Sequence, residues 1–214
     1  MKRLAIVALA VLWTAVGAHA QVPAEVTEVM RKCGKAMSNP AGMEFDMDMT
    51  VSVAIVSFKS KLVTATRGEK NRQVMTAKVM GHEVVTESCS DGVQEWTYVH
   101  TGEGSDTIHI GKASGEKKRD GDIDLGMADE FKKATMKLKD GYYVIDFSKP
   151  VDKSSEIKSM TVKVSAKNYV LREMKTSVKG ARVTMTINKI KVGLNDDYFK
   201  FDLGKYPNAV VVRD

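Results

Sequence analysis

Met43-Glu44-Phe45-Asp46-Met47-Asp48-Met49-Thr50-Val51-Ser52-Val53-Ala54-Ile55 is apolar at every odd position and acidic, small or hydroxylated at nearly every even one. A strand sends successive side chains to opposite faces, so this spacing predicts a long ribbon with one buried face and one wetted face. The buried face is rich in methionine, whose flexible, polarizable side chain adapts to irregular apolar partners. Two readings of that face are open. It is one wall of an ordinary core, or one wall of an adaptable apolar cavity.

The same alternation recurs along most of the chain. Strands are expected at about 43–57, 58–67, 72–80, 82–89, 94–100, 106–112, 142–148, 156–166, 169–179, 181–192 and 198–202. Turn residues such as Arg67-Gly68-Glu69, Gly81-His82, Asp91-Gly92, Asp140-Gly141 and Lys179-Gly180 separate them, and short loops between sequential strands imply an antiparallel meander. Val183, Met185 and Ile187 share one phase while Ile190 and Val192 share the other, which predicts a bulge near Asn188-Lys189. Two helical patterns interrupt the strands. Val26, Val29, Met30, Cys33 and Met37 make one apolar stripe over Pro23 to Met37, ended by Pro40 and Gly42. Leu125, Met127, Phe131 and Leu138 predict a short helix over 125–138, next to a polar Gly/Asp/Lys-rich loop at 113–124. The expected fold is mainly β (α+β): a large curled antiparallel sheet with an N-terminal helix and a short mid-chain helix across one face.

Lys2 and Arg3, an apolar run from Leu4 to Val16 and Ala18-His19-Ala20 read as a secretory signal cleaved before Gln21. The run is short for a bilayer span, which needs about 20 residues. Residue 21 is not the cysteine that a bacterial lipoprotein signal requires, so an exported, soluble chain is expected. Residues 21–214 contain neither an internal repeat nor a low-complexity linker and suit one domain. Without Lys2 and Arg3 the chain carries 31 basic and 27 acidic residues, a mild excess of alternating charge that argues against nucleic acid. In an oxidising compartment Cys33 and Cys89 form one possible bridge; two buried free thiols are the alternative.

Residue types for chemistry are sparse. His82, His100 and His109 lack metal-ligand spacing, and no G-x-S-x-G elbow occurs. Asp46 and Asp48 share the wetted face of the first strand, as a solubilising pair does. Gly102-Glu103-Gly104 lacks the context of a phosphate loop. No catalytic residue, metal or cofactor is expected. Phe45, Met47, Met49, Val51 and Val53 form the expected apolar lining, with Trp96 and Tyr98 on a neighbouring strand and Met75, Met160, Val162 and Met185 on other strands. Leu125, Met127 and Phe131 are expected to cover the opening.

Ser90-Asp91-Gly92-Val93-Gln94-Glu95-Trp96-Thr97-Tyr98 follows one helix and several strands. Placed there, it resembles the S-D-G-x-x-x-W-x-Y segment of the LolA family of periplasmic lipoprotein carriers. Phe199-Lys200-Phe201 and Tyr206-Pro207-Asn208-Ala209-Val210-Val211-Val212 are similar to the ending of a LolA-like branch. The resemblance implies a half-open barrel of about eleven antiparallel strands with helices as a lid, an interior that shields acyl chains, and no covalent catalysis. It implies that cargo passes from an inner-membrane lipoprotein transporter to an outer-membrane acceptor, with the carrier a monomer in the periplasm. The family's lid-latching arginine stands in an Arg-Pro pair; here Arg67 precedes Gly68, and Arg72 is a second candidate. The same fold also serves envelope sensors, so a lipid-sensing regulatory module acting through a partner protein is the alternative function.

Overall fold

The computed structural model describes residues 22–113 and 130–213. Helix α1 (Ala24–Ala36) starts after Pro23 and ends at Met37, as the apolar stripe predicts. Eleven strands build most of the sheet: β1 (Met43–Val53), β2 (Val56–Arg67), β3 (Lys70–Val79), β4 (His82–Ser90), β5 (Gln94–His100), β6 (Thr107–Lys112), β7 (Phe131–Lys139), β8 (Tyr142–Pro150), β9 (Ile157–Ser165), β10 (Leu171–Val178) and β11 (Ala181–Val192). The twelfth, β12 (Val210–Arg213), follows two short 3-10 helices at Asp196–Phe199 and Leu203–Lys205. All twelve form one open sheet, ordered β12-β6-β5-β4-β3-β2-β1-β11-β10-β9-β8-β7. Every ladder is antiparallel except β12–β6.

Strand β1 lies inside the sheet between β2 and β11. Asp46 pairs with Lys189 and Met47 with Ile187, leaving Asn188 as the extra residue of a bulge where the phase slip predicts one. Asp140-Gly141 joins β7 to β8 with both residues at positive φ, the turn that suits a two-residue hairpin.

Three elements differ from the sequence reading. Phe131 to Leu138 belongs to strand β7, not to a helix. The three-residue step from buried Phe131 to buried Ala134 mimics a helical period, but it arises opposite Lys149, whose φ of 58° breaks the alternation of β8. Leu125 and Met127 lie outside the described residues, as do 1–20. The strand expected at 198–202 is replaced by the 3-10 turn at Asp196–Phe199, and the C-terminal strand forms later, at Val210–Arg213. Among the described residues the strands therefore number twelve, against about eleven expected.

The core is on the face that α1 covers. Val26, Val29, Met30, Cys33 and Met37 of the helix pack with Met43, Phe45 and Met47 of β1, Ile145 and Phe147 of β8, and Val162 and Val164 of β9. Each fully buried side chain of this kind contributes roughly 1.5–3 kcal/mol, so the stripe, rather than helix propensity, holds α1 in place.

Candidate functional site

Partners across a ladder share a face, so the registers define two surfaces. On the helix-bearing inner face, one row runs Met49–Met185–Met174–Val162–Ile145–Met136 across β1, β11, β10, β9, β8 and β7. The next row is Val51–Val183–Thr176–Met160–Phe147–Ala134. Towards the other edge, Met47 is level with Leu62 and Met75. Val162, Ile145, Met160 and Phe147 are buried, whereas Met49, Met185, Met174, Met136, Leu62 and Met75 are half-buried. The first row spans five strand spacings of about 4.8 Å, roughly 24 Å in all. It is an unbroken apolar row, filled by core at Val162 and Ile145 and half-buried at its methionines, and four of its six side chains are methionine.

The outer face of β2–β6 carries a different construction. Glu44, Ala65, Arg72, Cys89, Trp96 and Ile110 form one row there, and Val63, Val74, Glu87, Tyr98 and Ile108 another. Residues 193–209 cross these rows as a strap. It begins where Gly193 N donates to Gly42 O (3.0 Å) and Leu194 N to Ala41 O (2.8 Å). Gly42 is required at that crossing: its φ is +83°, and a Cβ would lie 3.1 Å from those of Arg67 and Leu194. Arg67 Nη1 donates to Leu194 O (2.9 Å) and Asp196 Oδ1 (3.2 Å), and Lys70 Nζ donates to the same carboxylate (2.7 Å). The hydrogen bond from Lys70, then its charge and that of Arg67, hold the Asp196 carboxyl below its usual pKa.

Further along the strap, Phe199 is fully buried against Ala65 and Leu194. Arg72 pairs with Glu87 (2.8 Å), donates to Tyr198 O (3.2 Å) and lies over the Tyr198 ring. Tyr206 donates to Glu87 (2.6 Å) and stacks on Tyr98 at 3.9 Å, while Phe201 stacks on Trp96. Tyr198 donates to Glu44. Burial, with Glu44 beside it, pushes the Tyr198 phenol up to about 12. Buried polar groups at this site are therefore paired, as their desolvation demands.

These surfaces place the expected site residues. Phe45 and Met47 are buried on the inner face, in the floor beneath α1. Met49, Val51, Met75, Met160, Val162 and Met185 share that face. Val53 shares it too but is exposed, because β1 ends there in a hairpin. Trp96 and Tyr98 do not line the inner face. Their register puts them on the outer face, where the strap covers them. Phe131 is not a lid residue; it is buried against Phe147, ring centroids 5.6 Å apart. Arg67 and Arg72 both tie down the C-terminal strap on the outer face. Sequence reasoning missed the strap role of Tyr198, Phe199 and Tyr206. The one signal for it is the spacing of aromatics in an otherwise polar terminus.

Cys33 and Cys89 are separate free thiols, Cys33 under α1 and Cys89 donating to Phe199 O at 3.0 Å on the outer side. They stand on opposite faces of the sheet, which rules out the bridge. Burial pushes the Cys33 thiol up to about 12 and Cys89 to about 11, so neither is a thiolate near neutral pH. Maleimide is expected to leave the native, unreduced protein unlabelled and to add two labels in denaturant; no label in denaturant would show an oxidised pair.

Among the described residues no group of three His, Cys, Asp or Glu is placed to hold a metal ion, and no helix is long and apolar enough to cross a membrane. No protein-family model matches the sequence, and no curated protein matches it. Solved structures do. An uncharacterized conserved protein from Thermus thermophilus superposes with a TM-score of 0.50 at 10% identity, over 89% of this chain and 99% of that one. Lipoprotein LppX of Mycobacterium tuberculosis gives 0.50 at 11% identity, over 79% and 97%. A LolA superfamily protein from Nitrosomonas europaea gives 0.34 at 10%, over 82% and 97%. The chain shares the fold of the first two: an open antiparallel sheet, not closed into a barrel, with an N-terminal helix on its inner face. At these identities the likeness is one of fold.

Proposed function

We propose that this protein is a periplasmic carrier that sequesters the acyl chains of lipoproteins, or of other lipids, on its inner face and delivers them to the outer membrane. One observation carries the reading: the half-buried methionine row Met49–Met185–Met174 continues the buried core outward as an apolar surface. A buried methylene is worth about 0.8 kcal/mol, so an acyl chain has a strong preference for such a surface over water. Methionine repacks around guests of different shape, which suits a carrier that must also release its cargo. An inner-membrane transporter as donor and an outer-membrane acceptor are the partners this role requires, and residues 1–20 are the export signal.

Titration of the purified protein with a fluorescent fatty acid and with an acylated peptide tests this. Saturable uptake of both, competed by unlabelled palmitate, is expected. Absence of saturable uptake of any acylated probe would make the inner face an ordinary core and remove the carrier reading.

A further inference from the structure

We propose that the β1–β2 and β3–β4 hairpin tips form a docking surface for a lipid bilayer bearing anionic headgroups. Ile55 is 100% exposed and Met80 96% exposed. Both stand in two-residue hairpin turns with a left-handed residue: Ala54 has φ 51° and Met80 itself φ 51°. Turns of this kind favour Gly, Asn or Asp. Large apolar side chains there serve neither turn geometry nor the core.

The two tips are neighbours. The β2–β3 ladder runs from Arg67–Lys70 to Ser60–Ala77, and its continuation brings Phe58 level with Val79. Phe58 pairs with Val51 and Val56 with Val53, so these exposed side chains continue the inner face to the rim. At the opposite end of the sheet the hairpin turns are mostly polar, Gly68-Glu69, Asp91-Gly92-Val93, Asp140-Gly141 and Lys167-Asn168, with Val93 the one exposed apolar side chain in them. Ile55 and Met80, the two most exposed large apolar side chains among the described residues, thus stand at one end, towards which Val51 and Val183 continue the inner face.

Charge decides the partner. Lys59 and Lys78 lie behind the tips, with Lys179 in the adjoining β10–β11 turn and Arg182 at the start of β11, brought alongside by the Val53–Ala181 pair. All four are exposed, and none makes an ion pair with a described residue. Two carboxylates adjoin this group: Glu83 faces Lys78 across the β3–β4 ladder, and Glu156, whose carbonyl accepts from Lys179 N (3.1 Å), lies beside Lys179. Apolar side chains in front of lysine and arginine match the layering of a membrane interface, where acyl chains lie below anionic headgroups. Docked this way, the inner face would meet the bilayer at its rim, and an acyl chain could pass between them without crossing water. That purpose rests on the acyl-binding reading; the docking itself does not.

Co-sedimentation with vesicles tests it, using phosphatidylglycerol mixed with phosphatidylethanolamine against phosphatidylcholine alone. The wild-type protein is expected to bind the anionic vesicles, with binding weakened by salt and weaker on phosphatidylcholine. The double variant Ile55→Ser/Met80→Ser is expected to lose on the order of ten-fold in vesicle affinity, with an unchanged circular dichroism spectrum and unchanged fatty-acid uptake in vesicle-free buffer. Lys59→Gln/Lys179→Gln/Arg182→Gln should abolish the preference for anionic lipid. Failure of the wild type to bind anionic vesicles, equal binding to both compositions, or a double variant that binds as tightly as wild type would each overturn the proposal. The vesicle-free uptake assay reads the carrier function separately, so the two fail independently.

Discussion

Arg72→Ala is expected to lower the unfolding free energy by about 3–5 kcal/mol and to loosen the C-terminal strap. The guanidinium is largely buried and its partner Glu87 is buried, so truncation leaves a carboxylate facing Tyr206 without its counter-charge. The hydrogen bond to Tyr198 O and the contact with the Tyr198 ring are lost with it. Breaking such a pair costs more than the pair contributes, because desolvation of the remaining ion is uncompensated. The double variant Arg72→Met/Glu87→Gln should therefore recover much of the loss. Urea unfolding followed by circular dichroism gives the stability, and emission from Trp96, which stacks on strap residue Phe201, reports strap release. Equal stability of wild type and Arg72→Ala would show that the pair has no net role.

Met49→Glu is expected to abolish acyl uptake while the protein stays folded. Met49 is half-buried in the inner-face row, so the new side chain can reach water in the empty protein. With an alkyl chain lying across it, an ionised carboxylate is desolvated without a partner, at a cost of several kcal/mol, or roughly a 100-fold or greater loss of affinity. Asp48→Asn, one residue away on the outer face, should bind like wild type. Titration with the fluorescent fatty acid, beside a circular dichroism melt, checks both. Uptake by Met49→Glu at wild-type affinity would place the ligand elsewhere.

The Met43–Val53 alternation made the central strand legible, and the phase slip in Val183–Val192 made its bulge legible down to Asn188. These are local patterns, and one buried face suffices to write them. The faces of β5 were not legible in the same way. Trp96 and Tyr98 alternate as clearly as Phe45 and Met47, but an alternating strand shows only that one side is covered. Which side depends on register summed over every ladder back to β1, and on a strap more than ninety residues downstream. Phe131 misled for a related reason: an irregularity in the partner strand, at Lys149, changed the spacing of β7 from outside its own sequence. Of the inner-face row, Met49 and Met185 were readable because they sit in regularly alternating strands, whereas Met174 and Met136 were not singled out. The roles of Arg67, Arg72, Glu87 and Tyr206 were not readable, since the strap bonds they make join residues from distant parts of the chain.

The position of β1 in the sheet also sets the order in which the protein can be made. Its first residue, Met43, pairs with Val192, near the far end of the chain, and the strap anchors to Ala41 and Gly42 directly afterwards. Hairpins β1–β2 through β5–β6 can zip as they emerge, but one whole edge of β1 stays unpaired until β11 arrives. Such distant pairing must meet loop-closure entropy before it is rewarded, and folds dominated by it form slowly. A chain built this way completes its native sheet only after β11 and the strap that follows it have been made. Until then it remains an incompletely knit thread.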